Sequence, residues 1–129
     1  MKRFLAVLGI LIVLVATHGR IALAAEGGEL YPISSQQIPV LGTGTTYFAV
    51  PADTQVALIQ VTKGGPVRFS FYHAGEGTAP TTTTGAVMSL YDTYVCEGYV
   101  EARAFKAIAD SSVSGASMQA IYFGRVGGR

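Results

Sequence analysis

Few residues of this sequence have the types and spacing that chemistry requires. His73 precedes Glu76 by three positions, and such a pair can serve as an acid–base couple or as two ligands of a metal. A closed zinc site takes four ligands, so the pair alone does not complete one. Asp92, Glu97 and Glu101 offer oxygens to Ca²⁺, although they lack the D-x-D-x-D-G spacing of a calcium loop. A solvated histidine and a solvated sheet edge are the simpler interpretations.

Cys96 is the only cysteine, and it follows the apolar pair Tyr94-Val95. A single cysteine excludes an intrachain disulfide. The simpler interpretation is a small buried hydrophobic residue. The alternative is an intermolecular disulfide between subunits. A catalytic thiol is the least favoured reading, because it needs a histidine partner and His73 is the one histidine after the N-terminal segment.

The stretch 74–85 predicts a long loop rich in glycine, proline and threonine. Exposed loops often carry binding residues, and a threonine run also suits O-glycosylation or receptor contact. The simpler interpretation is an exposed loop stiffened by its β-branched residues. The candidate contact residues are Thr78, Pro80, Thr81, Thr82, Thr83 and Thr84.

Three tyrosines, Tyr91, Tyr94 and Tyr99, are candidates for an aromatic sugar platform, with core or edge packing as the alternative. The sequence has neither the phosphate-binding pattern G-x-x-x-x-G-K-[S/T] nor the nucleophile pattern G-x-S-x-G. We therefore expect no enzyme activity, no bound cofactor and no metal.

The N-terminus has the pattern of a secretory signal. Lys2-Arg3 is basic, Phe4 to Ala16 is apolar apart from one glycine, and Ala22-Leu23-Ala24 fits a cleavage site. We expect residues 1–24 to be a signal peptide and the protein to be exported to the periplasm, the outside of the cell or a virion. The alternative is an uncleaved membrane anchor, which the short apolar run and Arg20 disfavour because a span needs about 20 apolar residues.

Removal of residues 1–24 takes away three basic residues, which leaves six basic against eight acidic residues and a formal net charge of −2. Nucleic-acid binding depends on neutralising phosphates, so we expect no nucleic-acid partner. A membrane partner is expected only if the N-terminal segment stays uncleaved.

The remaining chain has the composition of a turn-rich β protein, with sixteen glycines and 13% charged residues in the whole sequence. The centre is Gln55 to Gly85, where Val67, Phe69 and Phe71 alternate with polar neighbours as in a half-buried strand. The preceding Lys63-Gly64-Gly65-Pro66 predicts the turn of a β-hairpin.

The segment 25–44 contains Pro32 and Pro39, so we expect an extended arm or edge strands there. Residues 102–109 fit either a helix or a strand, and we favour a strand. Together the pattern predicts an all-β domain over residues 45–129. It is a single β-sandwich, jelly-roll-like, of about eight short antiparallel strands that follow the hydrophobic N-terminal segment.

From Val56 to Phe123 the sequence resembles the small β-sandwich structural proteins of tailed phages and prophages. The matching segments are Val67-Arg68-Phe69, Gly77-Thr78-Ala79-Pro80-Thr81-Thr82-Thr83-Thr84-Gly85, Ala104-Phe105-Lys106-Ala107-Ile108 and Ala120-Ile121-Tyr122-Phe123. The resemblance implies a virion-associated protein without catalytic residues.

Two functions follow as hypotheses. The first is a structural or self-assembling protein, a homo-oligomer or a partner of other virion or surface proteins, in which the segment 26–41 lies on a neighbour's sheet edge. The second is a secreted module that binds a glycan or a receptor through the loop 74–85 and nearby tyrosines.

Overall fold

The computed structural model describes residues 29–72 and 75–125, and within these ranges the chain forms eight strands and one helix. The predicted signal segment 1–24 lies outside the described residues. The elements in chain order are β1 (Leu30–Leu41), β2 (Thr46–Tyr47), β3 (Val56–Gly64), β4 (Val67–Phe71), β5 (Ala86–Met88), β6 (Thr93–Glu97), α1 (Gly98–Ala104), β7 (Phe105–Ala109) and β8 (Gly115–Arg125).

The strands form two antiparallel sheets of four strands each, which confirms the predicted all-β sandwich and its eight strands. Sheet A has the order β1-β8-β3-β6 and sheet B the order β2-β7-β4-β5. The pairs are nested along the chain: β1 pairs with β8, β2 with β7, β3 with β6, and β4 with β5. The two outermost strands of the sequence are therefore neighbours in sheet A, and the innermost pair closes one edge of sheet B.

The core lies between the sheets because every second residue of the long strands points inward. In β8 the small and large residues alternate, so that Ala116 and Ala120 make room for Met118 and Tyr122. From sheet B the rings of Phe69 and Phe105 stack with their centroids 5.0 Å apart. Aromatic pairs of this geometry contribute about 0.5–1.5 kcal/mol beyond the burial of their area.

The predicted hairpin is wrong, because β3 and β4 belong to different sheets. Both edges of β3 are taken by β6 and β8, and both edges of β4 by β5 and β7. The turn at Gly64–Pro66 therefore carries the chain from one sheet to the other. The predicted facing of β4 is confirmed, since Val67 and Phe69 are buried while Arg68 lies on the opposite face.

The proline-containing segment is an edge strand of this chain's own sandwich. From Leu30 to Leu41 it pairs with β8, with one irregularity in register between Pro32 and Ser34. β1 is therefore an edge strand, one of the two forms expected for this segment, and its hydrogen bonds on one side are satisfied within the chain. In the described residues its other side borders no strand. Contact of this segment with a neighbour stays a prediction.

The segment 102–109 divides between a helix and a strand. Helix α1 begins at Gly98, whose φ of +88° favours glycine, and the Glu101 carboxylate accepts a hydrogen bond from the Glu97 N–H at 2.5 Å. The strand starts only at Phe105. The helix thus takes the chain from sheet A to sheet B. No helix among the described residues is long and apolar enough to cross a membrane.

Candidate functional site

An open groove of about 530 Å³ lies at one end of the sandwich. One wall is the chain that leaves β2, from Tyr47 to Pro51, and the other is formed by α1 and the start of β7. The lining residues that carry charge or an aromatic hydroxyl are Tyr47, Tyr99, Arg103 and Lys106. None of the described lining residues is acidic, so the groove has an excess of positive charge.

Strand pairing brings Lys106 to Tyr47. The two residues are direct cross-strand partners between β7 and β2, and the Lys106 Nζ lies 5.1 Å from the centre of the Tyr47 ring. The same ammonium donates a hydrogen bond of 2.7 Å to the Arg103 carbonyl oxygen in the last turn of α1. Cations are favoured at that end of a helix and over an aromatic face. The lysine is therefore held in place rather than free in solvent.

Helical spacing brings Arg103 to Tyr99. The residues are four positions apart on α1, which places them on the same face, and the guanidinium carbon lies 5.8 Å from the centre of the Tyr99 ring. Burial lowers the pKa of the Lys106 ammonium, and the nearby Arg103 charge lowers it further. Two cations thus share one groove, and within the described residues neither forms an ion pair with a carboxylate.

The predicted contact loop, unlike the groove, is hydrogen-bonded to the rest of the chain. Ser70 on the outer face of sheet B donates a hydrogen bond to the Thr78 carbonyl at 2.6 Å, and Ser111 N–H donates to the Thr82 carbonyl at 2.8 Å. Pro80 is buried. The loop therefore lies over the outer face of sheet B.

The threonine hydroxyls of the loop are largely occupied by one another. Thr81 and Thr84 exchange backbone hydrogen bonds of 3.1 and 3.3 Å, and their hydroxyl oxygens are 2.6 Å apart. Thr81, Thr83 and Thr84 are nevertheless exposed. Contact by this loop stays a prediction.

An ion pair fixes the same side of the molecule. Arg68 Nε donates to Asp110 Oδ2 at 2.5 Å, and Arg68 Nη1 donates to the Gly85 carbonyl at 3.3 Å. The pKa of the Asp110 carboxyl is lowered, first by hydrogen bonds from Ser112 and then by Arg68, while burial acts in the opposite direction. The arginine therefore joins β4, the end of the loop and the chain after β7.

Cys96 lies between the sheets and is fully buried. Burial, with a smaller contribution from the charge of Glu101, raises the pKa of its thiol to about 12. A thiol in this position cannot reach a second subunit while the sandwich is closed. The predicted intermolecular disulfide is therefore not supported by the fold, and the small buried hydrophobic residue fits.

The other candidate clusters are dispersed. Asp92 accepts a hydrogen bond from the Ser89 N–H at 2.7 Å, whereas Glu101 is bound to the Glu97 N–H, and the described residues contain no group of three metal-ligating side chains. Tyr94 packs in the core against Phe69, with ring centres 5.3 Å apart. His73, and with it the pairing to Glu76, lies outside the described residues.

The three tyrosines do not form one platform. Tyr94 points into the core, Tyr91 is exposed in the loop after β5, and Tyr99 belongs to the groove. Sequence reasoning missed Tyr47, Arg103 and Lys106 as a group. The available signal was the spacing of Tyr99 and Arg103, which places them together only if the segment is helical.

Comparison with known proteins gives no match. No family model fits the chain, and neither a curated protein nor a solved structure is similar to it.

Proposed function

We propose that this chain is a non-enzymatic structural or assembly protein, built as a jelly roll and associated with a virion or another exported surface. The observation that carries the proposal is the nested strand pairing, in which β1 to β4 pair in turn with β8 to β5. A long hairpin rolled up in this way gives the two four-stranded sheets of a jelly roll, an architecture common in viral capsid and lectin domains. The sequence resemblance to phage sandwich proteins supports the same class as a hypothesis.

The open side of β1 is the surface through which copies of the chain would pair. It is a strand of twelve residues at the edge of sheet A, and an unpaired edge of this length is a template for another strand. Pro32 and Pro39 limit such pairing to the part of the strand between them, because proline has no N–H to donate.

Light scattering of the full chain after size exclusion tests the proposal. We expect a species larger than a monomer, and we expect Gln37→Lys to shift it towards monomer, because a charge on an edge strand opposes strand addition. Gln119→Lys is the matched control, since Gln119 lies directly opposite Gln37 but on an interior strand of the sheet. A monomer at every concentration would overturn the assembly proposal, and equal behaviour of the two variants would remove β1 from it.

Export by a cleaved signal is part of the same proposal. The basic start, the apolar run and the Ala22-Leu23-Ala24 site support it. Mass spectrometry of the native protein is expected to show Ala25 as the first residue. A mass that includes Met1 and the apolar run would contradict cleavage and favour an anchor.

The groove favours a second candidate, a secreted ligand-binding module. It is open, it carries two exposed or half-buried tyrosines, and its two cations lack carboxylate partners in the described residues. Binding of any saccharide or receptor that is lost on substitution in the groove would support this candidate.

A further inference from the structure

We propose that the groove of Tyr47, Tyr99, Arg103 and Lys106 binds an acidic saccharide, with the two cations holding its carboxylate or sulfate and the tyrosine rings contacting its sugar face. The inference rests on the second candidate function and gives it a ligand class.

The preference for an anion follows from the charges. Arg103 and Lys106 line the same groove, and no acidic residue lines it in the described part of the chain. The one ion pair among the described residues joins Arg68 and Asp110 elsewhere. Two cations held close together repel one another, and an anion placed between them removes that repulsion and gains charge-assisted hydrogen bonds.

The geometry keeps the cations ready for a ligand. Lys106 is fixed by the Arg103 carbonyl at 2.7 Å and by the Tyr47 ring. This hydrogen bond uses one of the three donors of the ammonium, which leaves two for an anion. Arg103 has a guanidinium with five donors, and it lies over the Tyr99 ring face. Because Lys106 is already held, little of its side-chain entropy remains to be lost on binding.

The preference for a saccharide over other anions follows from the tyrosines and the shape. Tyr47 is 66% exposed, which is high for an aromatic residue that also contacts a lysine. The groove is open to solvent rather than enclosed, so a sugar ring can enter it directly from solution. Aromatic rings present an apolar face with a polar tip, which suits a sugar ring and its hydroxyl groups.

Calorimetric titration of the full chain with hexagalacturonate tests the inference. The matched ligand is the fully methyl-esterified hexamer, which has the same rings without the charges. We expect the acid to bind at least tenfold more tightly than the ester, and we expect its affinity to fall as salt is raised, because exposed charges are screened. Equal binding of acid and ester would leave a ligand-binding module but overturn the acidic ligand.

Substitutions in the groove then test whether the saccharide binds there. Arg103→Gln and Lys106→Gln are each expected to weaken binding of the acid about tenfold, and Tyr47→Ala to weaken it severalfold. Lys63→Gln is the control, because it removes the same charge from an exposed position outside the groove. The inference is overturned if the control matches the groove variants, if neither saccharide binds, or if poly-glutamate binds as tightly as the hexamer.

Discussion

The groove and the threonine loop are two polar regions of one sandwich that use their polar groups in opposite ways. Beside the loop, Arg68 is paired with Asp110 and also bonded to the Gly85 carbonyl. In the groove, Arg103 and Lys106 face no carboxylate among the described residues. Charges that are paired inside the chain stabilise its fold, whereas cations without a carboxylate partner are available to a ligand.

An exposed polar group is not always available to a ligand. The loop is long and rich in threonine, and four of its five threonines, Thr78, Thr81, Thr83 and Thr84, are exposed. The hydroxyls of Thr81, Thr83 and Thr84 are nevertheless hydrogen-bonded to one another. The Thr78 and Thr82 carbonyls accept hydrogen bonds from Ser70 and Ser111. The groove is assembled from separate segments of the chain. It nevertheless leaves more hydrogen-bond donors available to a ligand than the loop does.

The largest expected effect on stability comes from the packing of the threonine loop against β4. Gly77 has a φ of +83°, and a Cβ there would lie 2.6 Å from the Phe71 carbonyl oxygen. Gly77→Ala should therefore lower the free energy of unfolding by about 2–4 kcal/mol, from backbone strain and overpacking together. Denaturant unfolding measures it.

Gly75→Ala is the matched control for that measurement. Gly75 also has a positive φ, +90°, but no atom lies within 4 Å of its added Cβ. Gly75→Ala should lower the free energy of unfolding only through backbone strain, by about 1–2 kcal/mol. Equal losses for the two variants would show that the loop is not packed on β4.

The Asp110 carboxylate, which accepts hydrogen bonds from Ser112 and then from Arg68, should make stability depend on acid pH. The pKa of Asp110 is lowered in the folded state, so its contribution is complete above the unfolded pKa of about 3.9 and is lost as pH falls through the folded pKa. Asp110→Asn should lower Tm by roughly 5 °C at neutral pH and flatten the decline below about pH 4. Thermal unfolding of both proteins from pH 7 to 2 is the measurement. Parallel curves would mean that ionisation of Asp110 contributes nothing to stability.

A third kind of polar group is neither paired inside the chain nor accessible to a ligand. The Tyr122 hydroxyl is buried and has no hydrogen-bond partner among the described residues. Burial, followed by the charge that the nearby Cys96 would carry as a thiolate, raises the pKa of Tyr122 to about 12. A buried hydroxyl without a partner is a cost, so Tyr122→Phe should raise the free energy of unfolding by about 1 kcal/mol.

Tyr94→Phe is the control for that gain. The Tyr94 hydroxyl donates to the Glu101 carboxylate at 3.3 Å, so its removal should be neutral or destabilising. If Tyr122→Phe destabilises the protein instead, the hydroxyl has a partner in the folded protein after all.

Much of the fold is predictable from local pattern, because each signal reports which face a residue occupies. Alternation in β4 and the prolines of β1 correctly indicated a half-buried strand and an edge strand. Pattern does not report which strand lies beside which. The turn at Gly64–Pro66 is compatible both with a hairpin and with a crossing between sheets. Which of the two forms depends on which strands pair with the edges of β3 and β4.

The groove was not predictable for the same reason. Tyr47 and Lys106 meet through the register of β2 with β7, which joins segments far apart in the chain. Tyr99 and Arg103 meet because α1 is helical, whereas alternation over residues 102–109 favoured a strand. A short helix of seven residues between two strands has too few turns to show a clear period.

The smallest expected effect is that of Lys106→Gln, and it tests directly whether the groove differs from the loop. If the groove cations are kept for a ligand, Lys106→Gln should change the free energy of unfolding by no more than about 0.5 kcal/mol, the range of ordinary surface substitutions. The glutamine amide keeps a donor towards the Arg103 carbonyl, while the repulsion between two nearby cations is relieved. Denaturant unfolding without ligand gives the value. A loss as large as that of Asp110→Asn would show that Lys106 holds α1 onto β7, and the contrast between a structural region and an available one would then fail.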